Sequence, residues 1–355
     1  MHTLHKPVWD KVVQLGRLYM PSSAILELTY KCNALCPHCY VNKTDIDDNM
    51  DLKAINMTID KLYDAGILFL TFTGGEIFIL PYITDVLEHA FSKKFFGISL
   101  NTNGLLLNKR HLEVLIRNRD KLRHINMTVF SHIPEEHDAI MGIPGALETI
   151  LANASFLQDN NVKTCLKLIV LEKTVHNFTE SYRKLTERKF TVRHYCGLCP
   201  FPSEDGSYKD EHNSIGTFRE YLIGTESLKE DKRRLEFRKD SINLSDSPLC
   251  NGLLTMICID HSGNIKPCVA FRNLNLGNIL DPRPLREILR NSKDYAQIRS
   301  FSRKDIEKCK GCPHLSNCKF CPGEMHTINP AMNSPSSRVC LMTQAIAEYE
   351  ESGIL

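Results

Sequence analysis

The sequence predicts an α/β protein, a parallel sheet wound as a partial (β/α)6 TIM-like barrel and followed by a small cysteine-rich unit. Six short apolar runs alternate with amphipathic stretches, and clusters of glycine, asparagine or cysteine stand just after several of the runs. A dense field of cysteines between 250 and 340 marks the second unit. The runs are Ala24 to Leu28, Ile67 to Phe72, Phe95 to Leu100, His124 to Phe130, Lys163 to Val170 and Thr191 to Cys196. Between the first two, 51–65 reads as a helix stopped by Gly66. Residues 145–159 carry Leu147, Ile150, Leu151, Ala154 and Leu157 at helical spacing. Alternation of this kind winds right-handed crossovers onto a parallel sheet. In barrels of parallel strands the reactive groups gather at the carboxyl ends of the strands. Residues 32–39, 74–76 and 101–104 all fall there.

Composition narrows the function. A chain of 355 residues with 42% hydrophobic content can bury a substantial core and has room for more than one domain. The formal net charge is +2, and basic residues are interleaved with acids, as in 229–236, so no nucleic-acid partner is expected. No apolar run reaches membrane-span length and 1–9 lacks the apolar core of a signal peptide, so a cytoplasmic protein with no membrane contact is expected. Fourteen cysteines in that compartment read as metal ligands rather than disulfides.

Cys32, Cys36 and Cys39 form a CxxxCxxC cluster directly after the first run. Three thiolates on one short loop can hold three irons of a [4Fe-4S] cluster and leave the fourth without a protein ligand, an open position suited to chemistry. A zinc knuckle, or three buried thiols, is the alternative, with His38 as the fourth zinc ligand. His38 lies between two of the cysteines, where simultaneous ligation is awkward.

This cluster resembles the signature of the radical S-adenosylmethionine (SAM) enzymes. After the second run, Gly74, Gly75 and Glu76 look like that family's GGE motif, which receives the amino group of SAM. Glycines permit close backbone approach, and a carboxylate suits an ammonium. The segment Ser99-Leu100-Asn101-Thr102-Asn103-Gly104 is similar to the next strand end, whose polar side chains contact SAM. Asn126 to Ser131 corresponds to the strand after it, with Thr128 in the hydroxyl position and Phe130 where many relatives have an acidic residue. The resemblance thus implies a SAM-binding set of Gly74, Gly75, Glu76, Ser99, Asn101, Thr102, Thr128 and Tyr40. For any one of these polar residues, capping or turn formation is the alternative role.

The second field reads Cys250-x7-Cys258, Gly263-x4-Cys268, Cys309-x2-Cys312-x5-Cys318-x2-Cys321, and Cys340. It resembles the SPASM domain, although the Cys318 to Cys321 spacing is one residue short. Crossed ligation in that family implies Cys250, Cys258, Cys268 and Cys321 on a proximal [4Fe-4S] cluster, and Cys309, Cys312, Cys318 and Cys340 on a distal one. Taken alone, 309–321 also fits a zinc ribbon. The expected division is an N-terminal extension 1–20, a barrel 21–200, a connector 201–247, a SPASM domain 248–345 and a tail 346–355. Only about twenty residues precede the first strand, so no N-terminal leader-binding domain is expected.

Three [4Fe-4S] clusters and SAM are therefore the implied cofactors, and an electron donor such as flavodoxin or ferredoxin the implied partner. The resemblance implies reductive cleavage of SAM to a 5′-deoxyadenosyl radical that abstracts hydrogen from a C–H bond. Residues 136–145 look most like peptide-maturase relatives, which points to a ribosomally made peptide substrate, cross-linked through C–S or C–C bonds, with a separate leader-binding protein as a possible partner. An epimerase, an enzyme acting on a tetrapyrrole, and a non-catalytic zinc module are the rival readings. An epimerase needs a hydrogen donor, and the three cysteines outside both metal sets, Cys165, Cys196 and Cys199, are its candidates. Cys165 shares strand parity with Lys167.

Overall fold

The computed structural model describes residues 20–41, 49–197, 201–202, 208–209, 213–228, 250, 255–301, 305–315, 318 and 320–352. Six strands, β1 (Ser23–Glu27), β2 (Phe69–Thr73), β3 (Gly97–Thr102), β4 (Leu122–Val129), β5 (Thr164–Val170) and β6 (Thr191–Cys196), follow the six apolar runs. They pair in sequence order, every pair parallel. The crossovers carry α1 (Leu52–Asp64), α2 (Ile83–Ser92), α3 (Lys109–Arg117), α4 (Pro134–Met141), α5 (Ala146–Asp159) and α6 (Phe178–Glu187).

Local chemistry explains the boundaries. The Asp51 side chain caps α1 by accepting from Ala54 N at 2.7 Å, and beyond its end Gly66 turns the chain at φ +83°. Alternate strand residues, among them Leu26, Leu70, Phe72, Leu100, Ile125, Met127, Leu166 and Leu168, are almost wholly buried against the helices. The other parity is polar and half-buried over Thr71, Ser99, Asn101, Thr128 and Lys167. Lys167 Nζ on β5 reaches Asn101 Oδ1 on β3 at 3.1 Å, across β4, whose Asn126 Nδ2 meets the same oxygen at 2.9 Å. Side chains meeting over an intervening strand mark this as the concave face.

The sheet does not end with the six strands. Strand β9 (Met256–Ile259), from the region expected to be separate, pairs parallel with β1, and β10 (Ile265–Lys266) pairs antiparallel with β9. An eight-stranded sheet in the order β10-β9-β1-β2-β3-β4-β5-β6 results. The exposed edge of β1 is thereby paired, which removes its unsatisfied backbone groups. A short antiparallel ribbon, β7 (Phe201–Pro202) with β8 (Tyr208–Lys209), and α7 (Ile215–Ser227) follow β6. The rest of the cysteine-rich region supplies α8 (Leu285–Asn291), α9 (Lys293–Ser300), α10 (Pro322–Ile328) and α11 (Ser337–Glu351), the last packed on α7. Among the described residues no single helix is long and apolar enough to cross a membrane.

Candidate functional site

Cys32, Cys36 and Cys39 lie half-buried on the loop leaving β1. The loop is braced on two sides. On one, Gly75 N donates to Thr29 O at 2.7 Å and Glu76 N to Lys31 O at 2.9 Å. Here the backbones touch. A Cβ on Gly74, whose φ is +134°, would lie 2.3 Å from Thr29 O, and one on Gly75 would lie 2.2 Å from Lys31 O. On the other side, Leu35 N donates to Met141 O at 2.9 Å, at the end of α4, and a Cβ on Gly142 would lie 3.1 Å from Leu35 Cβ. Residues 136–145 therefore dock the cysteine loop. Asp138 shapes that segment by accepting from Gly145 N at 2.6 Å and Leu147 N at 2.9 Å, and His137 Nδ1 accepts from Phe130 N at 3.2 Å. Burial pushes His137 down to about 4, so it is a neutral strut at pH 7.

The donor set fits an iron-sulfur cluster. Cys32 Sγ accepts from Ala34 N at 3.4 Å and lies 3.8 Å from Asn103 Nδ2, contacts that favour a thiolate and tune a cluster. Among the described residues no three His, Cys, Asp or Glu side chains close round a single ion. A four-iron cube is a wider guest than a single ion.

Glu76 and Thr102, both in the expected SAM-binding set, are buried and hydrogen-bonded to each other. Glu76 has no exposed surface, and its carboxylate accepts from Phe78 N at 3.0 Å, Asn103 N at 2.7 Å and Thr102 Oγ1 at 2.7 Å. Burial raises its carboxyl, against the lowering effect of those bonds. These bonds tie the Glu76 carboxylate and Thr102 to the glycine turn and the Asn103 loop. Ser99, Asn101 and Thr128 lie on the concave face, with Lys167 among them. Tyr40 is half-buried with the Arg272 guanidinium 5.1 Å from its ring centre.

Four cysteines of the second field gather around the sheet edge. Cys258 sits on β9 opposite Ile25 and is fully buried, which pushes its thiol well up; Cys268 is an electrostatic neighbour. Burial pushes Cys268 up to about 11, and Cys250 lies close enough to add to the rise. Cys321 precedes α10, which docks beside Cys268. Thr327 Oγ1 donates to Ala270 O at 2.6 Å and accepts from Arg272 N at 2.9 Å, and a Cβ on Gly323 would lie 2.8 Å from Ala270 Cβ. These four are the residues that the SPASM resemblance implies for a proximal cluster. Of the distal set, Cys312 N donates to Cys309 O at 3.3 Å in a turn, Cys318 N to Leu315 O at 3.3 Å, and Cys340 is exposed on α11.

The three remaining thiols separate. Cys165 lies on the concave parity opposite Asn126 but is fully buried. Cys196 has the opposite parity, with His194, and faces the helices, where Asn213 Nδ2 donates to its Sγ at 3.5 Å and burial pushes it up to about 12. It is not on the barrel wall, which corrects its place among the hydrogen-donor candidates. Cys199 lies outside the described residues.

Family models agree with this architecture. Residues 26–185 match the radical SAM superfamily and residues 250–313 match SPASM, an iron-sulfur cluster-binding domain. The chain belongs to the radical SAM superfamily and carries a SPASM extension; Cys318, Cys321 and Cys340 lie beyond the matched region. It is 27% identical over 274 residues to the antilisterial bacteriocin subtilosin biosynthesis protein AlbA of Bacillus subtilis (strain 168), an alignment covering 73% of this chain and 58% of AlbA. It is 21% identical over 334 residues to the AdoMet-dependent heme synthase of Nitratidesulfovibrio vulgaris, covering 85% of this chain and 88% of that protein. Its fold matches anSMEcpe with bound AdoMet at a TM-score of 0.73, with 18% identity over 94% of this chain and 98% of that one. The same protein with AdoMet and Cp18Cys peptide matches at 0.72. At that identity the match shows the fold, a partial radical SAM barrel.

Proposed function

We propose that this protein is a peptide maturase that cross-links a ribosomally made peptide through a C–S or C–C bond. The observation that carries the reading is the similarity to AlbA, a bacteriocin biosynthesis protein, over 73% of this chain. In this reading Cys32, Cys36 and Cys39 hold the SAM cluster, and the eight cysteines of the second field hold two auxiliary clusters. The SAM bound there supplies a 5′-deoxyadenosyl radical, with electrons from a flavodoxin-like or ferredoxin-like donor. Gly74, Gly75 and the polar row Ser99, Asn101 and Thr128 form the SAM cradle, which Glu76 and Thr102 brace from behind. Among the described residues the thiol placement favours cross-linking over epimerisation, because Cys165 is sealed and Cys196 faces away from the concave side, while Cys199 lies outside them.

A tetrapyrrole substrate is the second reading, favoured by a heme synthase alignment that spans more of both chains than the AlbA alignment. Anaerobically reconstituted protein, SAM and reductant, incubated with a short precursor peptide found encoded beside its gene, should yield a product two hydrogens lighter. A product of unchanged mass that gains deuterium in D2O would establish epimerisation. Conversion of an iron-porphyrin precursor with the peptide untouched would establish the second reading.

A further inference from the structure

Glu27 is a carboxylate inside the apolar first strand, and it is completely buried. Its partner comes from the far end of the chain. Arg272 NH1 lies 3.0 Å from Glu27 Oε1, with the two side chains 2% and 0% exposed. Arg272 NH2 donates to Tyr30 Oη at 2.7 Å, Tyr30 Oη donates to Glu27 Oε2 at 2.8 Å, and Arg272 NH1 also donates to Val269 O at 3.2 Å. The Tyr30 ring stacks on His261 at 3.9 Å. The pair touches both metal regions. Tyr30 and Tyr40 flank the radical-cluster cysteines, and Val269 adjoins Cys268. Glu27 and Arg272 act on Cys258 electrostatically in opposite senses. The buried Nε of Arg272 has no hydrogen-bond partner among the described residues, and a cluster sulfur beside it would accept that hydrogen.

We propose that the buried Glu27–Arg272 pair is a positioning element that sets the reduction potential of the proximal auxiliary cluster. The assignment rests on the ligand set proposed above. A buried cation stabilises the more negative, reduced cluster and raises its potential, and a buried carboxylate lowers it. Opposite charges a bond apart hold the potential between those limits. Burial this complete is a poor source of stability, since desolvation consumes most of the Coulomb gain, so an electrostatic role accounts for the pair better than a structural one.

The test is a redox titration, followed by electron paramagnetic resonance, of holoprotein carrying Cys32→Ala, Cys36→Ala and Cys39→Ala so that only auxiliary signals remain. Arg272→Gln should shift one auxiliary midpoint to more negative values, Glu27→Gln should shift the same midpoint to more positive values, and Arg272→Lys should leave it near the parent. Unchanged midpoints, or shifts of one sign in both neutral variants, would overturn the proposal, because packing damage does not reverse sign with charge. Should Arg272→Gln lose iron, the isosteric Glu27→Gln decides, and a midpoint that fails to rise overturns it. Absence of auxiliary iron and sulfide from the wild type would instead overturn the ligand set, and this assignment with it.

Discussion

Replacing Cys32, Cys36 and Cys39 together with alanine should abolish 5′-deoxyadenosine formation while leaving the auxiliary region metallated. The three side chains leave one loop, and the second field sits beyond β1, on β9 and the segments on either side of it. Loss of the radical cluster should therefore lower iron from about twelve to about eight per chain if each cluster has four irons. SAM cleavage at the wild-type rate would contradict the assignment of the loop, and loss of all iron would contradict the independence of the two regions.

Gly75→Ala should be nearly as damaging, through a different mechanism. The added Cβ would lie 2.2 Å from Lys31 O, 2.8 Å from Lys31 C and 2.9 Å from Tyr30 O, all backbone atoms that cannot swing aside. The turn must separate from the cysteine loop, breaking the Gly75 N to Thr29 O and Glu76 N to Lys31 O bonds. Overpacking of this kind costs about 1–3 kcal/mol. The expected result is a lowered unfolding midpoint together with loss of measurable SAM binding and retention of auxiliary iron. Unimpaired SAM binding would show that the cradle does not depend on this contact.

Much of the barrel was legible because strand and helix patterns are local. The run Thr191 to Cys196 coincides with β6, and the helix expected at 51–65 differs from α1 only by its capping residues. What escaped depends on contacts between distant segments. No local period announces that β9 completes the edge of β1. The bonds that Glu76 accepts from Thr102 and Asn103, on another strand end, are invisible in the motif itself. Standing at a strand's carboxyl end does not fix which face Cys196 takes; its parity with His194 decides it. One signal for Arg272 was also present. Glu27 interrupts an apolar strand, and a carboxylate there requires a buried partner, although nothing in the sequence says that the partner lies beyond Cys268.

The central claim is that the cysteines of this chain hold iron-sulfur clusters, one of them at the SAM cradle. Analysis of iron, acid-labile sulfide and zinc in anaerobically purified protein tests it most directly. The account predicts iron and sulfide in nearly equal amounts, about twelve of each per chain at full occupancy, with zinc well below one. Stoichiometric zinc with no labile sulfide would contradict it.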